Sequence, residues 1–288
     1  MRRRTLLSAF GFALLAVPAM AEDRAERVVI AGGDLTEIAF ALGAGDRVVG
    51  VDQTSTFPEA TADLPQIGYV RRLSAEGVLS LRPDLLIVAD DAGPDVALEQ
   101  LQAAGTRVMR APESVEAPEI ADKIRFVGQA LGEQEKAEDL VAKFQSDLDQ
   151  ITAKVATLAG SPRILFILSI RNGAPLIGGR GTTADEMIRL AGGRNAGSAI
   201  EGYKPMNSEA ILAAAPDAIL MMTQHAERLG GIDAVLSRPE IALTPAGRNA
   251  RAVTMDGMLL LGFGPRTPRA IADLARALQP DAAKAAGL

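Results

Sequence analysis

One segment of the chain occurs twice, and this repeat restricts the fold to two related units. The segment Glu76–Ile87 (EGVLSLRPDLLI) matches Glu209–Leu220 (EAILAAAPDAIL) at a constant offset of 133 residues. Each copy follows a residue of a type that commonly caps helices, Ser74 or Asn207. Each copy therefore predicts a short helix, a Pro-Asp turn and a buried strand, and we expect two lobes of the same kind.

Short apolar runs alternate with helical segments along most of the chain, which is typical of an α/β protein. The predicted strands are Arg27–Ile30, Val48–Val51, Leu85–Ala89 and Arg107–Arg110 in the first half, and Arg163–Leu168, Ala218–Met222 and Ala252–Met255 in the second. The predicted helices of the first half lie near Thr36–Leu42, Ala75–Ser80 and Val96–Ala104. Two α/β units are therefore expected.

A stretch without glycine or proline joins these units, from Glu133 to about Ala159. Its apolar residues recur every three or four positions, which predicts a single helix of roughly 40 Å. We accordingly assign 22–132 to a first lobe, 133–159 to a linking helix and 160–288 to a second lobe. Such a helix would limit the relative motion of the lobes.

The N-terminal segment has the features of a secretory signal peptide. Arg2–Arg4 supply positive charge, Leu6–Val17 is an apolar run too short to span a bilayer, and Ala19–Ala21 is a small-x-small cleavage signal. We predict removal of residues 1–21 and export to the periplasm. The run Arg3–Leu7 also approximates a twin-arginine signal, so both export routes stay open. The chain has no cysteine, and we therefore expect no lipid anchor.

Composition excludes several classes of site. There is no cysteine or tryptophan, one histidine and two tyrosines, which removes thiolate catalysis, disulfide scaffolds, zinc fingers, iron–sulfur clusters and multi-histidine metal sites. The formal net charge is −6 and no basic run is present, so neither nucleic acid nor an anionic membrane surface is an expected partner.

Two features of the sequence are candidates for an enzyme site. The only histidine, His225, stands in the polar stretch Thr223–Arg228, and we interpret it as a surface residue because no G-x-S-x-G motif accompanies it. The run Gly179–Ala184 fits G-x-G-x-x-A before a predicted helix, with Glu201 as an approximate ribose-binding acid. A nucleotide-dependent enzyme is thus a remaining alternative, although a loop between the lobes explains this run better.

The loop Leu64–Glu76 carries the strongest candidate for a ligand site. Tyr69 leads into a predicted helix, which places it at the carboxyl edge of a sheet, where α/β folds bind ligands. In an extended segment Tyr69 and Arg71 would point to one side and Arg72 to the other. A phenol of pKa ~10 becomes a ligand when a ferric ion and a guanidinium favour its anion, and tyrosinate is a known haem ligand. A tyrosine that packs beneath its loop is the other interpretation.

Five stretches of the chain resemble the periplasmic haem-binding proteins of bacterial haem ABC importers. They are Gly68–Arg71 (GYVR), Leu73–Gly77 (LSAEG), Arg82–Asp84 (RPD), Met255–Gly257 (MDG) and Leu261–Thr267 (LGFGPRT). The resemblance covers nearly the whole mature chain, and the wider group also binds siderophores and cobalamin.

This resemblance implies an α/β fold of two Rossmann-like lobes joined by one long helix, with haem b in the cleft between them. Tyr69 would be the axial ligand of the ferric iron, and the protein would carry its ligand without chemical change. The implied partners are haem, an ABC permease dimer with its ATPase and, upstream, an outer-membrane haem receptor system; the protein itself is expected to be a monomer. A siderophore or cobalamin carrier of the same fold is the alternative.

The resemblance also implies roles for three residues around the ligand. Arg71 would pair with a haem propionate or support the phenolate. Some relatives carry a second haem on a histidine after the first strand of the second lobe, whereas the matching stretch Leu168–Gly173 has none, which puts a second ligated haem in doubt. Arg171 in that stretch would meet a propionate, or it is a solvated loop residue. Tyr203, at the repeat position of the Tyr69 loop, would form the opposite cleft wall, or it only packs against its neighbours.

The repeat gives Glu76 and Glu209 matching positions in the two lobes. In this transporter class the resemblance implies one acid on each lobe that docks on each half of the dimeric permease, and a pseudo-symmetric pair suits a two-fold partner. The other interpretation is that each glutamate only favours its helix dipole, worth about 0.3–1 kcal/mol.

Overall fold

A computed structural model of the chain describes residues 25–171 and 173–288, without the side chain of Arg171. The predicted signal peptide, 1–21, lies outside these residues. The first half contains β1 (Val28–Ala31), α1 (Gly33–Ala41), β2 (Val48–Val51), α2 (Ala75–Leu79), β3 (Leu85–Val88), α3 (Asp95–Ala103), β4 (Arg107–Arg110) and α4 (Ile120–Leu131). The helix α5 (Gln134–Val155) then leads into the second half.

The second half has more and shorter elements than the first. These are β5 (Arg163–Arg171), β6 (Ala174–Gly178), α6 (Thr183–Leu190), β7 (Arg194–Asn195), β8 (Tyr203–Pro205), α7 (Ser208–Ala214), β9 (Ala218–Met222), α8 (Thr223–Arg228), α9 (Ile232–Leu236), α10 (Pro239–Ala242), α11 (Pro245–Arg248), β10 (Ala252–Met255), α12 (Gly257–Leu261), α13 (Thr267–Leu278) and α14 (Pro280–Ala285). No helix among the described residues is both long enough and apolar enough to cross a membrane.

The first lobe is built on a parallel sheet with the strand order β2-β1-β3-β4. All residues of β1 and β3, the two central strands, are completely buried. Burial on both faces is the normal environment of parallel strands, whose connections run through helices on either side. This burial explains why the central strands are continuous apolar runs in the sequence.

The sheet of the second lobe is mixed, with the order β10-β9-β5-β6-β8 and the short β7 beside the start of β5. Its strands β10, β9 and β5 are parallel, whereas β6 and β8 are antiparallel neighbours. The strand β5 extends beyond the predicted end at Leu168, because its last residues pair with β6 in a hairpin. Two α/β lobes are thus confirmed, and the second lobe carries an antiparallel extension.

The internal repeat has a structural counterpart in both lobes. The side chains of Ser74 and Asn207 cap the helices α2 and α7, as predicted. In the Pro-Asp turns that follow, the Asp84 carboxylate accepts a hydrogen bond from the backbone N–H of Arg27, and the Asp217 carboxylate accepts one from the backbone N–H of Arg163. Each repeated aspartate therefore fixes the beginning of the first strand of its own lobe.

The linking helix α5 is continuous, but it is shorter than the predicted 133–159. At 1.5 Å per residue its 22 residues span about 33 Å. Just after the end of the helix, the Thr157 hydroxyl donates a hydrogen bond to the Lys154 carbonyl oxygen at 2.7 Å. Such a side-chain hydrogen bond competes with the hydrogen bonds that would continue the helix. Along its length α5 packs on α4 of the first lobe and α13 of the second.

The lobes also meet directly, through the segment Leu261–Thr267. Just before α13, Arg266 donates its backbone N–H and its Nε to the Glu37 carboxylate on α1, at 3.0 and 2.8 Å. The Arg266 guanidinium lies 3.6 Å from the centroid of the Phe57 ring. From α4, the buried Lys123 donates to the Phe263 carbonyl oxygen at 3.2 Å. A second attachment of the lobes, separate from α5, is thus made at this segment.

Burial raises the pKa of Glu37 above its ordinary value of 4.5, although the charge and hydrogen bonds of Arg266 lower it in part. The folded state therefore binds a proton in a pH window where the unfolded state has released it, and the free energy of unfolding falls as pH rises from about 4.5 to the raised pKa. We expect Glu37→Gln to flatten this slope, by at most about 1.4 kcal/mol per pH unit for one proton. Urea denaturation between pH 4 and 7 measures the slope of the free energy of unfolding against pH.

The matched control for this prediction is Glu99→Gln, because Glu99 is exposed on α3 and has no side-chain partner among the described residues. Its slope should equal that of the wild type. If Glu37→Gln and the wild type lose stability in parallel across the window, Glu37 does not titrate as burial requires.

Candidate ligand-binding cleft

The carboxyl edges of the two sheets face each other. Gly33 follows β1 at the edge of the first sheet, and Met258 follows β10 at the edge of the second. A Cβ atom at Gly33 would lie 2.7 Å from the Met258 methyl carbon and 2.3 Å from the Thr54 carbonyl oxygen, so only glycine fits there. The edges thus touch at this point, and the space beside the contact is the cleft in which α/β folds of this kind place ligands.

Backbone hydrogen bonds hold the Tyr69 loop at the edge of the first sheet. On one side, the Gln53 N–H, just after β2, donates to the Gly68 carbonyl oxygen at 2.8 Å. On the other side, Gly93 beyond β3 donates to the Val70 carbonyl oxygen at 3.0 Å. The Tyr69 ring is half-buried and packs on the apolar cluster below the loop. The structure therefore places Tyr69 at the predicted carboxyl edge, with part of its side chain exposed.

The local conformation of this loop differs from the extended segment that we expected. Val70–Arg72 form one turn of 3₁₀-helix, closed by a hydrogen bond from the Arg72 N–H to the Tyr69 carbonyl oxygen at 2.7 Å. Side chains three positions apart lie on the same side of such a turn. Arg72 does not point away from Tyr69, since its guanidinium carbon lies 5.8 Å from the centroid of the Tyr69 ring.

Arg71 is oriented by an ion pair with Asp91, which follows β3. Its Nε donates to Asp91 Oδ2 at 2.6 Å, its Nη2 contacts the same oxygen, and 60% of the Arg71 side chain is exposed. Burial lowers the pKa of this guanidinium, but the hydrogen bond and charge of Asp91 and the charge of Tyr69 raise it overall. Arg71 is therefore a fixed positive charge near the hydroxyl of Tyr69.

The second lobe brings only one of its predicted ligand contacts to the cleft edge. Arg171 is the last residue of β5 and pairs with Ala174, so its backbone lies at the carboxyl edge. Tyr203 pairs with Gly178, which lies beside Phe166. That position is five residues before Arg171, or roughly 17 Å along the strand. The structure therefore does not bring Tyr203 together with Arg171, and the cleft-wall role of Tyr203 stays a prediction that the register does not favour.

The repeated glutamates occupy equivalent surface positions. Glu76 and Glu209 stand in the first turns of α2 and α7, two positions after the capping residues. Both are exposed, and neither side chain has a hydrogen-bond or ion-pair partner among the described residues. Each lobe thus presents one unpaired carboxylate from the same element of its repeat.

The glycine run before α6 is not arranged for a phosphate. Thr182 accepts a hydrogen bond from the Asp185 N–H at 3.1 Å, and the Asp185 carboxylate accepts from the Gly181 N–H at 3.3 Å. A Cβ at Gly179 would lie 2.3 Å from the Ile200 carbonyl oxygen. The glycines therefore permit close backbone packing, and a carboxylate occupies the place of the anion that a nucleotide site requires.

His225 is not the free surface residue that its polar neighbours suggested. It lies in the first turn of α8, is half-buried, and contacts the carbonyl oxygen of Leu168 through Nδ1. The sequence signal for this position is the buried strand Ala218–Met222 immediately before it, since residues after a parallel strand lie at the carboxyl edge.

Comparison with known proteins agrees with this architecture. A RhuT structure from Roseiflexus sp. RS-1, a periplasmic haem-binding protein in apo form, has 42% identity and a TM-score of 0.86, with 90% of this chain and 99% of that chain covered. Two curated proteins are more distant. YvrC of Bacillus subtilis, an uncharacterized ABC transporter substrate-binding lipoprotein, is 30% identical over 86% of this chain and 78% of its own length. A vitamin B12-binding protein of Vibrio vulnificus is 26% identical over 93% of both chains.

The family assignment rests on a match that spans most of both lobes. The profile of the periplasmic binding protein family aligns with residues 28–259, from β1 to α12. This range includes both carboxyl edges, the linking helix and the Tyr69 loop. The chain therefore belongs to the periplasmic binding protein family.

Proposed function

We propose that this protein captures ferric haem in the cleft and delivers it to an ABC importer in the inner membrane. The observation that carries the proposal is the half-buried Tyr69 at the cleft edge, with Arg72 over its ring and Arg71 fixed beside it. An anionic oxygen ligand suits ferric iron, and Arg71 and Arg72 place two positive charges near this phenol.

Each basic residue has a distinct task in this proposal. Arg72 contacts the ring of the iron ligand, while Arg71 keeps much of its guanidinium exposed beside Asp91 and can receive a haem propionate. Arg171, at the edge of the second sheet, would contact a haem propionate from the side of the second lobe. The iron stays ferric and no bond of the ligand is broken, because the protein binds and releases its cargo.

Haem is favoured over cobalamin as the ligand for two reasons. The haem-binding RhuT is 42% identical to this chain, whereas the vitamin B12-binding relative is 26% identical. In addition, Tyr69 lies beside two arginines, which combines an oxygen donor suited to ferric iron with positive charges suited to haem propionates.

Export is part of the same proposal. The family is periplasmic, residues 1–21 have the pattern of a signal peptide, and the chain lacks the cysteine that a lipoprotein such as YvrC requires for its anchor. We infer a freely diffusing carrier that takes haem from an outer-membrane uptake system and docks on the permease dimer with its ATPase.

Titration of the purified protein with haemin tests the proposal directly. We expect a Soret band with a tyrosinate-to-iron charge-transfer band that saturates at a fixed ratio of haem to protein. Cyanocobalamin and a ferric hydroxamate siderophore should not displace the haem at equal concentration. Saturable binding of either competitor, with no Soret change on adding haemin, would identify a different cargo.

A further inference from the structure

The guanidinium of Arg71, which the proposed function assigns to a haem propionate, is paired with a carboxylate of the protein itself. Its Nε donates to Asp91 Oδ2 at 2.6 Å, and its Nη2 contacts the same oxygen. A propionate is also a carboxylate, and arginine binds both through the same planar set of donors. Asp91 and a haem propionate would therefore compete for one guanidinium beside Tyr69, whose charge acts on Arg71.

The pair between Arg71 and Asp91 is exposed and geometrically incomplete. Both donors of Arg71 converge on Oδ2, while Oδ1 of Asp91 has no partner among the described residues. A carboxylate that is free to orient can make two parallel N–H···O bonds with its two oxygens, which is the stronger arrangement. Since 60% of the Arg71 side chain and 38% of the Asp91 side chain are exposed, a second carboxylate can reach the pair. A flexible propionate is thus able to displace Asp91.

The backbone around Asp91 is fixed by Arg110, the last residue of β4. The Arg110 Nη1 donates to the carbonyl oxygens of Asp90 and Ala92 at 2.5 and 3.0 Å, on either side of Asp91. The Asp91 carboxylate is therefore held at one position by its loop. From that position it can pair with Arg71 again when a ligand leaves.

The neighbouring charge disfavours an unpaired Asp91. Asp90, the preceding residue, is half-buried, and this burial together with the negative charge of Asp91 raises the pKa of the Asp90 carboxyl. When a propionate takes Arg71, two adjacent carboxylates lose a compensating positive charge, and like charges at this distance repel. Return of Arg71 to Asp91 removes that repulsion, so the protein itself contributes free energy to release.

From these contacts we propose that Asp91 occupies the place of a haem propionate on Arg71, and that the two carboxylates exchange on this guanidinium when haem binds and when it leaves. The inference rests on the proposed haem-binding function and adds to it a residue that lowers the affinity in favour of release. The exchange concerns only the carboxylate edge of the haem. The bond between Tyr69 and the iron is therefore unaffected by it.

Haemin titration of Asp91→Asn tests the exchange. The amide keeps the shape of the side chain and removes the competing charge, so the affinity for haem should rise by about fivefold, the upper value for an exposed ion pair. Transfer of haem to excess apomyoglobin should slow by a similar factor, and the tyrosinate charge-transfer band should stay unchanged. The matched control is Asp95→Asn, which removes the same charge from the neighbouring pair with Arg110 and should keep the wild-type affinity.

Two further arms separate exchange from a general effect of charge or structure. Haem dimethyl ester, whose propionates are esterified, should bind equally to the wild type and Asp91→Asn. The gain in haem affinity should also vanish in the Arg71→Ala background, where no guanidinium is left to exchange.

The proposal is overturned if the gain persists with the ester or in the Arg71→Ala background, or if Asp91→Asn binds haem no more tightly than the wild type and Asp95→Asn. Each of these results leaves the carrier function intact, because the wild type still gives the Soret band on adding haemin. Absence of any Soret change in the wild type would instead reject the haem site as a whole, and this inference with it.

Discussion

The Tyr69→Phe variant is expected to lose the tyrosinate charge-transfer band and most of its affinity for haem. The substitution removes one oxygen and leaves the ring that packs on the apolar cluster below the loop, so the fold should persist. Loss of an outer partner of a metal ligand typically costs about 10–100-fold in affinity, and loss of the ligand itself should exceed that range. Haemin titration followed by absorbance measures both effects.

The chain offers a matched control, because it has only two tyrosines. Tyr203→Phe removes the same oxygen from β8, at a register position roughly 17 Å along the strand from Arg171. Its spectrum and affinity should equal those of the wild type. If the two variants behave alike, the iron ligand is not Tyr69.

The double variant Glu76→Ala/Glu209→Ala should bind haem normally and fail to support transport. Both carboxylates are exposed and unpaired, so their removal leaves the cleft and the core unchanged. Each would meet one half of a two-fold permease. A contribution of about 1.4 kcal/mol from each docked pair corresponds to tenfold in affinity, and hence to roughly a hundredfold for both. Haem uptake into vesicles containing the permease and its ATPase measures the loss.

The control for docking is Glu99→Ala/Glu227→Ala, which removes the same charge from one exposed site on each lobe. Transport by this variant should match the wild type. Because Glu76 and Glu209 occupy equivalent positions in the repeat, their single variants should show similar, intermediate losses. Full transport by the double variant would leave both residues with only a helix-dipole role.

The sequence predicted the central architecture well, because buried parallel strands are continuous apolar runs. The strands Val48–Val51, Ala218–Met222 and Ala252–Met255 have the predicted limits. The strands β6 and β8 were missed because each contains a proline, Pro175 or Pro205, which argues against a strand in the sequence. The strand β8 is also only three residues long and exposed. The turn at Val70–Arg72 was missed because hydrogen bonds to Gly93, which is distant in sequence, fix that loop.

The contacts between the lobes could not be predicted from the sequence, because they also join residues that are distant along the chain. Glu37 and Arg266 are 229 positions apart, and nothing in either local sequence indicates the pairing. The position of Tyr69 could be predicted because it depends on a strand-turn-helix pattern that is local. The surroundings of His225 could not be predicted, because its ring contacts the carbonyl oxygen of Leu168 on a neighbouring strand.

The double attachment of the lobes has a mechanical consequence. A single apolar core runs from the first lobe through α5 into α13, and the pair Glu37–Arg266 ties the segment before α13 back to α1. These contacts form a closed frame, in which widening the cleft must strain either the core or the ion pair. The cleft is therefore preorganised in the empty protein, and ligand binding costs little free energy for ordering the lobes. The membrane partner must then supply the free energy that separates the lobes, and its ATPase is the source.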